Sequence, residues 1–393
     1  MPLHTEPQTV IQARESRENI PQTRRVRDVS ERIGYLDPDA APFTLVTSRA
    51  STKSCFDPKF EWMEKDLPAK WTQINAGLLG TGDTVLTVDK AGYFVPGDVV
   101  NNPRTTERYR VTAVGATTIT VVRAVGTTVA TALLDNDDLQ IIGNAYTEGS
   151  PKGTPHSWIE SVLFNYTQIF RHLFGVTETE QQSRSYTGDD RTRLRREKAI
   201  EHKLDLERAA LFGEPKLDTS SLDNPRRYTG GLLHFIGATN TTDMGGTLTE
   251  PELETWMQNV FSHTGASGSR LLLASPLVIS ALNQMAAGRM QTVPKSDTYG
   301  LAITQWITAH GSLNIVKHRL LENGTSGLYG YGGFAIAVDP SKVMFRPLGN
   351  RNTKLIENIQ LPGDDAWEDE YKTEGGWEVH NASVHGIAKN ITG

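Results

Sequence analysis

Few residues of this 393-residue chain are spaced for chemistry. His380 and His385 are five apart, the wrong interval for two imidazoles on one helical face, and no His-Glu-x-x-His occurs, so the zinc pattern is missing. Asp135, Asp137 and Asp138 resemble the start of a calcium loop, but Leu139 takes the fifth position and the glycine and glutamate of an EF-hand do not follow; the three read as a solvated turn. Gly265-Ala266-Ser267-Gly268 misses the nucleophile elbow because its second glycine comes one residue early, and reads as a flexible loop. Gly330-Tyr331-Gly332-Gly333 imitates a dinucleotide fingerprint, yet it precedes a strand instead of opening a helix, and reads as a turn. Glu368 and Glu370 fall in an acidic stretch read as a loop, without a recognisable partner. The single cysteine, Cys55, excludes an intrachain disulfide and a paired-thiolate zinc site, and reads as a reduced, inert thiol. The expectation is no catalytic residue, no cofactor and no metal: not an enzyme.

The elements that would have to position such groups are of four kinds. Residues 1–31 are polar with balanced Arg and Glu, a tail that orders on contact with something else. Between Arg32 and Ala76 an aromatic segment is broken by proline, which fixes φ and removes a donor, so the expectation is an extended arm without helix or central strand. Its rings, Tyr35, Phe43, Phe56, Phe60, Trp62 and Trp71, have no local core, and the expected place of burial is another copy of the chain. From Thr84 to Ile142, β-branched period-two runs (84–88, 109–114, 118–122, 139–142) predict a small all-β unit resting on the rest of the subunit. Arg191 to Phe212 lacks Gly and Pro, with Asp189 and Asp190 before it and Gly213 after it, and predicts a long helix. From 247 to 345 a helix opened by Thr249 and Glu252, a strand at 270–274, a helix opened by Pro276, and strands at 313–316, 334–338 and 342–345 predict a compact α/β module. Strand-like runs at 354–359 and 377–384 then return to pack elsewhere, along the long helix.

Composition narrows the class. With 37% hydrophobic and 22% charged residues the chain is globular, and a net charge of -6 argues against a dedicated nucleic-acid binder. The basic run from Arg191 to Arg208 is interleaved with acids, as in Arg193 with Glu197, and reads as a solvated or subunit-facing helix face. No apolar run approaches the roughly 18 residues of a membrane span and the N-terminus lacks a secretory pattern, so the expectation is a soluble protein made in the cytoplasm, with no membrane partner.

The order of arm, excursion with β insertion, spine helix, α/β module and returning segment resembles the Hong Kong 97-like fold of tailed-phage major capsid proteins. Gly-Tyr-Leu-Asp-Pro-Asp-Ala-Ala-Pro-Phe at 34–43, Phe-Glu-Trp-Met-Glu-Lys-Asp-Leu at 60–67, Asn-Tyr-Thr-Gln-Ile-Phe at 165–170, Gly-Val-Thr-Glu-Thr at 175–179 and Thr-Gly-Gly-Leu at 229–232 look like the branch that carries a β insertion domain. The resemblance implies an α+β fold with an N-terminal arm (1–50), an E-loop and its return (51–82 and 143–175), a β insertion (83–142), a peripheral domain (176–246 and 346–393) and an axial domain (247–345). It implies a shell protein whose partners are its own copies as pentamers and hexamers, a scaffolding protein, the portal, a decoration protein and packaged DNA held non-specifically, with assembly in the host cytoplasm. The arm is too short for a fused scaffold, which points to a separate one. Lys59, Lys65 and Lys70 lie where some relatives form isopeptide crosslinks, but no partner can be named and none is expected. Inter-subunit contacts are expected at Tyr35, Phe43, Phe60, Trp62, Trp71, Arg193 and Arg196. Two other readings stay open: a β-rich surface-binding or decoration module, and a hydrolase using Ser267.

Overall fold

The computed structural model describes residues 42–44, 52–66, 69–150, 157–183, 189–221, 224–237, 240–263, 265, 267–285, 304–322 and 330–392. The chain divides into two units, Glu61–Leu163 and a larger one formed by Met1–Phe60 with Phe164–Gly393.

The smaller unit is built on antiparallel strands β2 (Trp71–Gln73), β3 (Val85–Thr87), β4 (Asp98–Asn101), β5 (Arg108–Val114), β6 (Thr118–Val122) and β7 (Asp138–Asn144), while β1 (Lys59–Glu64) pairs with β8 (Ser161–Tyr166) as a ribbon. The six-stranded order is β2-β7-β4-β5-β6-β3, and an Ile74–Val88 bridge joins its two edges, with Asn75 N–H donating to Thr87 O (3.0 Å) and Asp89 N–H to Gln73 O (3.1 Å). The sheet is therefore closed, which removes the exposed edges that invite mispairing. Alternation sends Leu86, Val100, Tyr109, Val111, Ile119, Val121, Leu139 and Ile141 inward, and irregularities between Val99 and Val100 and between Val111 and Ala113 help the sheet curve. The barrel thus has a core of its own, and the 83–142 boundary omits β2. That strand escaped notice because it has three residues and follows a proline-rich stretch. β1, likewise, lies between Pro58 and Pro68: these prolines bracket a ribbon strand instead of breaking one, so the arm is not purely extended.

The larger unit contains β9 (Gln168–Thr177), β10 (Lys216–Asp218), β11 (Arg226–Tyr228), β12 (Thr241–Gly246), β13 (Ser269–Ala274), β14 (Thr304–Ile307), β15 (Ser312–Lys317), β16 (Ala335–Val338), β17 (Val343–Pro347), β18 (Lys354–Ile356), β19 (Ala366–Val379) and β20 (Gly386–Ile391). A mixed sheet of order β12-β20-β16-β13-β15-β14 has helices on both faces. Along β13, Leu272 and Ala274 pack with Trp256, Met257 and Val260 of helix Glu250–Phe261 and with Val278 and Leu282 of helix Pro276–Met285. Leu271 and Leu273 point the other way, into a core with Leu206, Ala210 and Leu211 of the long helix. This is the predicted α/β module with strands added and one removed. β12 and β20, from outside 247–345, join one end of the sheet, with β20 between β12 and β16, β14 adds an unpredicted edge strand, and β17 leaves for a second sheet.

That second sheet is organised by β19, which pairs antiparallel with β9 over its first ten residues and with β18 and β17 on its other edge. Glu368 and Glu370 are strand residues there, which corrects the loop reading. The long helix runs Asp190–Phe212, capped by Asp189, whose carboxylate accepts the N–H groups of Arg191 and Thr192 (both 3.2 Å). It ends at Gly213, where a Cβ would stand 2.3 Å from Thr229 O; no other residue fits so close an approach of two backbones.

Candidate functional site

Most sequence candidates for chemistry are engaged within the fold. His385 is buried, accepts the Asp339 N–H at Nδ1 (3.1 Å) and so donates from Nε2 to His380 O (3.2 Å); burial lowers its pKa to about 4, keeping it neutral. The Ser267 hydroxyl accepts the Ser269 N–H (3.2 Å), while Ser267 N–H donates to Asp339 Oδ2 (3.0 Å). No imidazole is bonded to that hydroxyl among the described residues, so the base that a nucleophile needs is missing there. Asp137 is not part of a solvated turn. It is buried against Arg104 (Nη2 to Oδ2, 2.6 Å) and accepts the Leu134 N–H (2.9 Å), which leaves Asp135 and Asp138 at the surface. The Cys55 thiol lies 3.5 Å from Pro347 O, and burial raises its pKa against the opposing effect of Arg346. Glu370 is held by Arg171.

The basic run of the long helix is ion-paired within the chain. Arg193 reaches Asp190 (2.8 Å) and Glu197 (3.4 Å), Lys198 reaches Glu201 (2.6 Å), and Arg208 reaches Asp205 (2.6 Å). Arg191 and Arg195, one turn apart, both bind Asp369 of β19 at 2.6 and 2.9 Å. Burial alone would raise the Asp369 pKa, but the bonds from Arg191, the Asn358 N–H and Arg195 bring it down to about 2. Arg196 is exposed. Sequence reading missed Asp369 and also Glu207, a buried carboxylate that accepts the N–H groups of Phe43 (2.8 Å) and Thr44 (2.6 Å) and the His318 Nε2–H (2.7 Å). The detectable signal for Asp369 was the i, i+4 spacing of Arg191 and Arg195. Glu207 gave none, since its partners, two backbone N–H groups and an imidazole, lie far along the chain.

The aromatic candidates divide. Phe43, Phe60 and Trp62 are 1%, 5% and 5% exposed within one chain, which corrects the expectation that these rings have no core there. The Arg346 guanidinium lies 5.4 Å from the Phe60 ring centroid, and Trp62 Nε1–H donates to Glu64 Oε1 (3.2 Å). Trp71 is half exposed, on the outer face of the barrel. Tyr35 lies outside the described residues. The apolar side chains left in solvent are others: Met63, Ile159 and Val162 in the smaller unit, and Phe56 and Phe164 in the larger. On β1 the burial alternation explains this, because Phe60 and Trp62 turn inward and Lys59, Glu61 and Met63 turn out.

Apolar side chains left exposed on the ribbon strands and on the outer face of the barrel are surface of the kind that meets a partner. Residues 7–392 match the family described as SU10 major capsid protein. The chain belongs to this family. A major capsid protein of Pseudomonas phage PaMx41 is 27% identical over 298 residues, covering 72% of this chain and 69% of that protein. Among solved structures, the capsid of a native GTA particle aligns with a TM-score of 0.52 at 9% identity over 97% of this chain and 100% of that one, and the capsid of the empty particle with 0.51 over the same shares. The fold is the Hong Kong 97-like capsid fold, and the protein is a phage major capsid protein, a structural component of the shell. No helix among the described residues is long and apolar enough to cross a membrane.

Proposed function

We propose that this capsid subunit assembles as pentamers and hexamers into an icosahedral head that encloses double-stranded DNA, on a separate scaffolding protein and around a portal, in the host cytoplasm. The reading rests above all on apolar side chains left exposed in each unit, Met63 and Val162 in the smaller and Phe164 in the larger. In this reading residues 1–50 are the N-terminal arm and 51–82 with 143–175 the E-loop. Residues 176–246 with 346–393 are the peripheral domain, and 247–345 the axial domain. Trp71 and Arg196 are the sequence candidates that are exposed on this chain, and in this reading they meet a neighbour. The subunit acts through surfaces, with no catalytic step. Electron microscopy of the purified chain with its scaffold tests this: closed shells are expected, and a strictly monomeric species under all assembly conditions would refute it.

A second reading is favoured by one observation. The barrel has its own core, and Trp71, Val85, Val122 and Ile142 remain exposed on its outside, so it can also receive a decoration protein or a surface ligand. Trp71→Ala in assembled shells should weaken binding of such a protein without lowering the yield of shells. Lost shell yield would instead assign Trp71 to contacts between copies.

A further inference from the structure

One face of the β9–β19–β18 sheet is turned away from the long helix, and strand register sets like charges side by side on it. Arg171 pairs with Lys372, and Lys372 with Lys354, so three cations stand in a row across three strands about 4.8 Å apart. Like charges directly opposite each other destabilise a sheet unless something else compensates them. Arg171 has Glu370, but that carboxylate is 5% exposed and the guanidinium 61%, so solvent meets the positive layer. Exposed Leu173, Ile169 and Ile356 flank the row on the same face. Aliphatic side chains around cations suit a protein partner better than a bare phosphate backbone.

The same chain carries a surface of complementary character. The turn between β18 and β19 exposes Leu361, Asp364 and Asp365, closed by Asp364 N–H to Leu361 O (3.1 Å) with Gly363 at φ 101°. Glu178 N–H donates to Asp365 O (3.3 Å), and the neighbouring Asp365 carboxyl raises the Glu178 pKa, so a cation arriving there would relieve a like-charge contact. The turn cannot fold back onto its own cation row. Asp365 lies beyond the end of β19, and Lys372 is seven residues on, roughly 20 Å along a strand.

We propose that the Leu361–Asp365 turn of one subunit docks on the Arg171–Lys372–Lys354 row of another copy, with Leu361 against the exposed aliphatic side chains that flank the row. The two surfaces differ, so the contact is heterologous and propagates from copy to copy, as a closed shell requires. It extends the capsid reading by naming which surfaces meet.

Zero-length carbodiimide crosslinking of shells of the unaltered chain, read by mass spectrometry, tests it directly. Peptides joining Asp364 or Asp365 to Lys354 or Lys372 are expected in shells and not in dissociated subunits. Their absence while other Lys-carboxylate crosslinks form would overturn the proposal. Charge reversal gives the second arm, with folding of each variant checked by circular dichroism. Asp364→Lys with Asp365→Lys, or Lys354→Glu with Lys372→Glu, should lower the fraction of chain in shells about tenfold, and the combined four-site swap should restore it. Reversed pairs that assemble like the unaltered chain, or a folded swap that does not recover, would each refute it.

Discussion

One ion pair of the barrel and the carboxylates along β19 of the larger unit handle buried charge in different ways. In the barrel, Glu107 and Arg123 form a dry bidentate pair at 2.7 and 3.0 Å, with side chains 0% and 6% exposed. The carboxylate also accepts the N–H groups of Thr131 (2.9 Å) and Ala124 (3.2 Å), and the guanidinium donates to Gly80 O (2.6 Å), so one pair ties three loops at a barrel end. In the larger unit most carboxylates of β19 are buried under a partner that stays more exposed, although Arg346 over Glu378 is itself 12% exposed. Glu370, Glu374 and Glu378 lie under Arg171, Arg351 and Arg346 on one face, and Asp369 under Arg191 and Arg195 on the other. There the acid is desolvated while water still reaches Arg171 and Arg351. A dry pair loses far more when one partner goes, because the remaining charge cannot be rehydrated in place.

Arg123→Met therefore gives the largest effect. Glu107 would be left buried and unpaired, at a cost of about 3–5 kcal/mol, measured by urea unfolding of the unassembled chain and by hydrogen exchange localised to the barrel. A loss below about 1 kcal/mol, the range of exposed pairs, would erase the distinction between the two kinds of pair.

Acid should separate the units next. His202 and His385, both in the larger unit, are held neutral by burial, aided at His202 by neighbouring His172, with pKa values of about 4. The unfolded chain takes up those protons near its ordinary value of about 6.5. A histidine with a lowered folded pKa stabilises fully above 6.5, and that contribution falls away as pH drops from 6.5 to 4. At about 1.4 kcal/mol per pKa unit, His385 alone carries on the order of 3 kcal/mol. No described residue of the barrel is a histidine. Asp369 has the usual carboxylate sign, so its share persists until pH falls below about 4 and towards 2. Hydrogen exchange at pH 7 and pH 4.5 should show protection falling around β19 and β20 and holding in β5 and β6. Equal loss in both units would show that these histidines do not govern the response.

These differences explain what was legible from sequence. The long helix, its Asp189 cap and the helix after Thr249 could be read because local residues set them. The period-two runs of the barrel could be read because each strand buries alternate residues, though not the closing contact at Ile74 and Val88, which joins distant segments. The aromatic arm was misjudged for the same reason. A proline-rich stretch looks coreless until Glu207, from a helix more than 160 positions away, is seen holding Phe43 and Thr44. Arg123 and Arg193 look alike as letters, yet one is sealed in a barrel and the other lies along a helix; only tertiary burial separates them.

Glu207→Gln probes that long-range clip and should rank third. The amide offers one acceptor oxygen where two backbone N–H groups and an imidazole N–H converge, leaving a donor unsatisfied at a cost of about 1–3 kcal/mol. Faster exchange at Phe43 and Thr44, with the barrel unchanged, is the expected result. Unchanged exchange there would mean that the arm is held by the Phe43 ring alone.

Arg208→Ala should do least. Its pair with Asp205 is an i, i+3 contact with both side chains about half exposed, and such pairs contribute about 0.2–0.5 kcal/mol. Water replaces the guanidinium as soon as it is removed, and Asp205 keeps the His172 Nε2 contact at 3.0 Å. The unfolding midpoint should stay within error of the unaltered chain at ordinary salt, and a loss above about 1 kcal/mol would mean that pairs on this helix behave like the dry pair of the barrel. Because Arg208 and Arg123 carry the same group, the ratio of their two losses measures what solvent access alone does to an ion pair in this subunit.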